Sequence, residues 1–103
     1  MTSSGPRLSG AQRKFLRGQA HHLKPLVHIG RNGLTESSLT QLDESLADHE
    51  LVKVKFLDFK DQKKELVGRM EERLGAEAVG LIGHMAILYR RHPDPEERKI
   101  RLP

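Results

Sequence analysis

The stretch Pro25-Leu26-Val27-His28-Ile29-Gly30 constrains the fold more tightly than any other part of the chain. Proline holds its predecessor extended and lacks the N–H that a helix interior needs, while Gly30 punctuates the far side. The apolar run so fenced is too short for a helix and reads as a short buried strand. Arg31-Asn32-Gly33-Leu34-Thr35-Glu36 follows at once. Thr35 suits a helix N-cap, and Glu36 falls in the first turn, where a carboxylate favours the positive end of the helix dipole. Strand, glycine loop and helix start therefore succeed one another with no room for a linker.

A strand that feeds a helix this directly needs sheet partners, and the rest of the chain supplies them. Ser9-Gly10-Ala11-Gln12 has the S-x-x-Q form of a capping box, so a first helix starts near residue 10. Phe15, Leu16, Ala20 and Leu23 recur at helical spacing, with Arg13, Lys14, Arg17 and His21 mostly on the other side, and Pro25 ends the pattern. Leu39, Leu42 and Leu46 make the stripe of a second helix that runs to about Asp48. Leu51 to Phe56 alternates, which puts Val52, Val54 and Phe56 on one face of a strand and Lys53 and Lys55 on the other. A third helix is predicted over 60–74, with Leu66, Val67, Met70 and Leu74 as its stripe and Gly75 closing it in a left-handed conformation. Residues 78–82 and 86–91 read as a hairpin around Gly83-His84, glycine standing first in a type II′ turn. The order αβαβαββ predicts an α/β layered sandwich on one four-stranded mixed sheet. At 103 residues the chain holds one domain: a flexible N-terminus over 1–8, the domain over 9–91, and an extended tail over 92–103. A monomer is expected.

Composition removes several kinds of chemistry. The absence of cysteine excludes disulfides, thiolate nucleophiles and sulfur-ligated zinc. The six histidines are scattered, and no H-x-x-x-H pair exists to hold a metal. Neither a P-loop nor a dinucleotide fingerprint is present, and Asp43, Glu44, Asp48 and Glu50 read as a solvated acidic helix face rather than paired catalytic carboxylates. Tyr89 alternates with Ile87 and reads as half-buried in the hairpin. No cofactor, metal or catalytic group is expected. No apolar run approaches the length of a membrane span, so the protein reads as cytoplasmic, with no membrane partner.

Charge is distributed unevenly. Arg7, Arg13, Lys14, Arg17, Lys24 and Arg31 give +6 before any acid appears at Glu36, and everything after residue 33 sums to −2. An acid-free start also occurs in organelle transit peptides, but that reading would discard a strand and a loop. A one-sided basic segment suits a polyanion, because each phosphate neutralised releases counterions; a merely solvated basic face is the bland alternative.

The spacing Gly30-Arg31-Asn32-Gly33 is weak by itself, since nine glycines in 103 residues produce about one G-x-x-G by chance. Gly80-Leu81-Ile82-Gly83 has the same spacing inside a strand. Context separates them: at Gly30 the free amides of a helix start converge with a glycine backbone, an arginine and an asparagine. Loops of this type clamp single-stranded nucleic acid in KH modules, and the competing reading is a tight βα turn that needs glycine for positive φ.

The blocks "GQAHHLKPLVHIGRNGLTES", "DHELVKVKF" and "LIGHMAILYR" together resemble the YhbY-like proteins, which are single CRM (chloroplast RNA splicing and ribosome maturation) domains. The likeness runs from about Ser9 to Arg91. It implies a fold similar to the C-terminal domain of translation initiation factor three, with a KH-like G-x-x-G loop as the RNA contact. It further implies a non-catalytic assembly factor bound to ribosomal RNA in precursors of the large subunit. Gly30, Arg31, Asn32 and Gly33 match the family's loop, and Lys24 its basic position before the proline. Arg13, Lys14 and Arg17 are expected RNA contacts from charge and helix geometry as well; Lys53, Lys55 and His28 are further candidates. The alternative is a protein-interaction module docking on ribosomal proteins or a translation factor through the acidic helix over 36–50.

Overall fold

The computed structural model describes residues 8–103, so the expectation for residues 1–7 lies outside the described residues. Along the chain lie α1 (Gly10–Ala20), β1 (Val27–Ile29), α2 (Glu36–His49), β2 (Leu51–Phe56), α3 (Lys63–Leu74), β3 (Glu77–Ile82) and β4 (Met85–Tyr89), with 3-10 turns at Lys60–Gln62 and Pro95–Glu97. The strands form one mixed sheet in the order β1-β2-β4-β3. β1 and β2 are parallel, which requires a crossover of a dozen residues or more, and the 14 residues of α2 supply it. The hairpin β3-β4 closes over Gly83-His84 with Ile82 opposite Met85, and Gly83 carries the positive φ of 59° that the first position of a II′ turn demands.

The cap signals act as the sequence predicts. Ser9 and Gln12 satisfy each other's backbone N–H groups at the start of α1, and Gly75 ends α3 in a left-handed conformation. Three boundaries differ by two residues or more. β4 ends at Tyr89 rather than at residue 91. The first turn of the predicted third helix is wound as 3-10, with α3 starting at Lys63. α1 ends at Ala20 rather than near Pro25, because the chain turns through His21 and His22, with the Leu23 N–H donating to the Ala20 carbonyl. Leu23 therefore leaves the expected stripe and is 39% exposed.

Alternation along β2 builds two apolar layers. Val52, Val54 and Phe56 join Val27, Ile29, Leu42, Leu46, Met70 and Leu88 in the layer under α2 and α3. Burying a leucine such as Leu42 contributes about 2 kcal/mol. On the opposite face Leu51, Val79, Ile87 and Tyr89 pack beneath Leu16 and Ala20 of α1. Tyr89 is thus buried outright, deeper than its alternation suggested.

The segment after β4 returns to the body of the domain. Ile100 and Leu102 pack on the α1 layer, and the carboxylate of Glu50 accepts N–H bonds from His92 (2.7 Å), Lys99 (2.7 Å) and Ile100 (2.9 Å). Glu50 is buried and sits left-handed at φ 66° where α2 turns into β2. Three donors to one carboxylate compensate both its burial and that backbone conformation. Glu50 therefore does not belong to a solvated acidic face: it is the clasp that fixes the tail.

Candidate nucleic-acid interface

The loop after β1 is a hydrogen-bonded turn. The Gly33 N–H donates to the Gly30 carbonyl at 3.0 Å, which puts Arg31 and Asn32 at the two central positions, both exposed. Gly33 has φ 70°, so glycine is required there by the backbone. At Gly30 φ is not positive and a Cβ would meet nothing within 4 Å, so packing does not require glycine at that position.

Behind the turn, Thr35 caps α2. Its hydroxyl accepts the Ser38 N–H at 3.1 Å, and the Ser38 hydroxyl accepts the Thr35 N–H at 2.8 Å. Glu36, the acid in the first turn, is drawn to Arg73 of α3 at 2.8 Å. That hydrogen bond and the guanidinium charge hold its carboxyl below the usual range and offset the one negative charge at the head of the helix.

Beside the loop lies the part of the sheet that α1 leaves open. α1 packs on β3, β4 and β2, and its layer takes in Leu51 at the start of β2. Beyond it, on the same face, come Lys53, Lys55 and, in register with Lys55 on β1, His28. His28 and Lys55 are exposed; Lys53 is half-buried and donates its ammonium to the Leu23 carbonyl at 3.0 Å, tying down the linker before β1. Lys24 is exposed on that linker. Arg31, Asn32, Lys24, Lys55 and Lys14 have neither a hydrogen bond nor an ion pair from their side chains to another described residue.

Arg13 and Arg17 are placed differently from Lys14. Both reach across to the free edge of β3: Arg13 pairs with Glu77 and donates to the Ala78 carbonyl at 2.6 Å, and Arg17 donates to the Val79 carbonyl at 2.9 Å. The Ala78 N–H on the same edge is taken by Glu71 at 2.8 Å. A free strand edge invites pairing with another chain, and these side chains occupy it. Charge and helical spacing alone could not reveal this, because the acceptors lie more than 60 residues away, on a strand whose register shifts between Ala78 and Gly80.

The acidic helix proves to be divided. Asp43 bonds Arg90 at 2.7 Å, Glu36 bonds Arg73, and Glu50 is the buried clasp. Among the described residues no cluster of acidic, histidine or cysteine side chains could hold a metal ion, and no helix is long and apolar enough to cross a membrane.

Comparison with known proteins agrees with this architecture. A Haemophilus influenzae protein named RNA-binding protein is 43% identical over 97 residues, covering 93% of this chain and 95% of that one. A probable RNA-binding protein of Pseudomonas aeruginosa is 38% identical over 91 residues, covering 87% and 88%. The solution structure of a hypothetical protein from Staphylococcus aureus matches with a TM-score of 0.78 at 37% identity, over 94% of this chain and 100% of that one. Residues 8–90 match the family model of the CRS1 / YhbY (CRM) domain, and the chain belongs to that family.

Proposed function

We propose that this protein is a non-catalytic RNA-binding module of the cytoplasm that binds ribosomal RNA in precursors of the large subunit. The reading rests above all on the turn at Gly30 to Gly33, which holds Arg31 and Asn32 exposed and unpaired at the head of a helix beside an open, basic part of the sheet. Arg31 brings a planar donor set suited to phosphate, Asn32 can donate to phosphate, sugar or base, and Gly30 leaves room for a backbone to approach. Lys24, Lys55, His28 and Lys14 add electrostatic grip, and Lys53 adds its charge from a fixed position. Arg13 and Arg17 join this footprint through whatever donors β3 leaves them. The names of the relatives, and the absence of any visible acid–base or nucleophilic set among the described residues, support a binding role over a catalytic one.

Ribonuclease digestion of a cell extract tests the reading. An RNA-bound protein leaves the ribosomal particle fraction on digestion; retention would instead support docking on ribosomal proteins. In purified form, Lys14→Gln with Lys55→Gln should reduce the salt dependence of binding by roughly two counterions' worth of slope. An unchanged slope would remove the two lysines from the footprint.

A further inference from the structure

The segment that follows β2 presents two large apolar side chains to solvent beside the glycine turn: Leu57 is 53% exposed and Phe59 is 36% exposed. Neither position is slack. The Leu57 and Asp58 N–H groups both donate to the Ile29 carbonyl, at 2.9 and 3.1 Å, which anchors the segment to the residue preceding Gly30. Phe59 sits left-handed at φ 55° and ψ 35°, a conformation that costs a non-glycine residue about 1 kcal/mol or more. Its N–H is held by the Asp58 carboxylate at 2.8 Å and its carbonyl by the Gln62 N–H at 3.0 Å. The ring lies against the last glycine of the turn, where an added Cβ would stand 3.4 Å from Cε2.

We propose that Phe59, flanked by Leu57, is a stacking platform for bases of single-stranded RNA whose backbone is held by the Gly30 turn. This rests on the RNA-binding reading and sharpens it, because bases in a duplex are hidden inside the stack whereas bases of a single strand can lie on an aromatic face. The surroundings complement a polyanion: the exposed cations Arg31, Lys55, Lys60 and Lys64 outnumber the carboxylates of Asp58, which accepts the Phe59 N–H, and Asp61. Two apolar side chains ringed by cations are also too little surface for a stable protein interface, which needs roughly 800 Å² from each partner.

The test uses the full chain with a short single-stranded RNA carrying the fluorescent adenine analogue aminopurine, and a duplex of the same strand as reference. Wild-type binding should quench the fluorophore. Phe59→Leu should lose the quench and bind the single strand roughly tenfold more weakly with the duplex affinity unchanged, and Phe59→Tyr should restore both. Circular dichroism checks that each variant is folded. If Phe59→Leu quenches and binds as wild type does, the platform is wrong, and the loop reading survives provided that Arg31→Glu with Asn32→Asp still weakens binding. If wild type binds neither RNA, the RNA-binding reading falls and the platform with it.

Discussion

The chain contains the same glycine spacing twice, and the two copies do unlike work. In Gly80 to Gly83 both glycines answer needs internal to the fold. A Cβ at Gly80 would stand 3.0 Å from Cδ and 3.2 Å from Cγ of Arg17, so the glycine lets that side chain pass to the β3 edge, and Gly83 supplies the positive φ of the hairpin. The residues between them are apolar, with Leu81 packed on the core. In Gly30 to Gly33 only the second glycine is required by the backbone, while the first faces open space and the residues between are exposed and polar. A spacing motif thus means what its neighbours make it mean. Glycine that the fold itself does not need is the better pointer to something approaching from outside.

Substitutions should separate the two copies most clearly where they differ most. Reversing the charge of the first loop with Arg31→Glu and Asn32→Asp should weaken RNA binding on the order of a hundredfold, as two charge-assisted contacts are lost, with no change in melting temperature. In the second copy Gly80→Val should have the opposite profile. Arg17 would have to give up its bond to the Val79 carbonyl to make room, so denaturant unfolding should show a loss of about 2 kcal/mol, while RNA binding by the folded fraction falls far less than in the loop variant. Within the first loop, Gly33→Ala forces a side chain to φ 70° against Phe59 and should cost about 1 kcal/mol in the same assay.

Smaller effects discriminate more finely. Gly30→Ala should change stability by less than about 0.5 kcal/mol yet weaken RNA binding severalfold, measured by fluorescence anisotropy. A variant that loses stability by more than about 1 kcal/mol but binds normally when folded would assign Gly30 to the fold instead. The smallest effect lies at the second turn. Partial loss of hydration, then the ammonium groups of Lys63 and Lys60, hold the His84 imidazole below its ordinary value of 6.5. The folded state thus takes up this proton less readily than the unfolded chain, so a small part of the stability present above pH 6.5 is lost as pH falls through the folded value. An NMR titration should find His84 titrating below 6.5, and Lys63→Met should move it part of the way back up. No movement would remove Lys63 from the causes and leave hydration and Lys60.

The sequence was legible wherever a local rule decides structure. Capping at Ser9 and Thr35, the alternation through β2, the left-handed Gly75 and the first-position glycine of the hairpin all follow from short-range sterics and hydrogen bonding, and together they specify the αβαβαββ order. It was illegible where a side chain is claimed by something distant. Glu50 stands among other acids on a helix, and only the return of the tail 42 to 50 residues later makes it a buried acceptor. Arg13 and Arg17 look like Lys14 until β3 arrives more than 60 residues on. Phe59 gave no periodic signal at all, since its exposure depends on a left-handed backbone outside any regular element. For the candidate site this means that the loop could be located from sequence, but the division of the basic residues between edge and open surface could not.

The most direct test of the central claim is NMR mapping of backbone amides during titration with single-stranded RNA. The account predicts that amides over Gly30 to Gly33, together with Lys55, shift and saturate together while those of Gly80 and Leu81 stay in place. Movement at Gly80 and Leu81 with a silent Gly30 loop would contradict it.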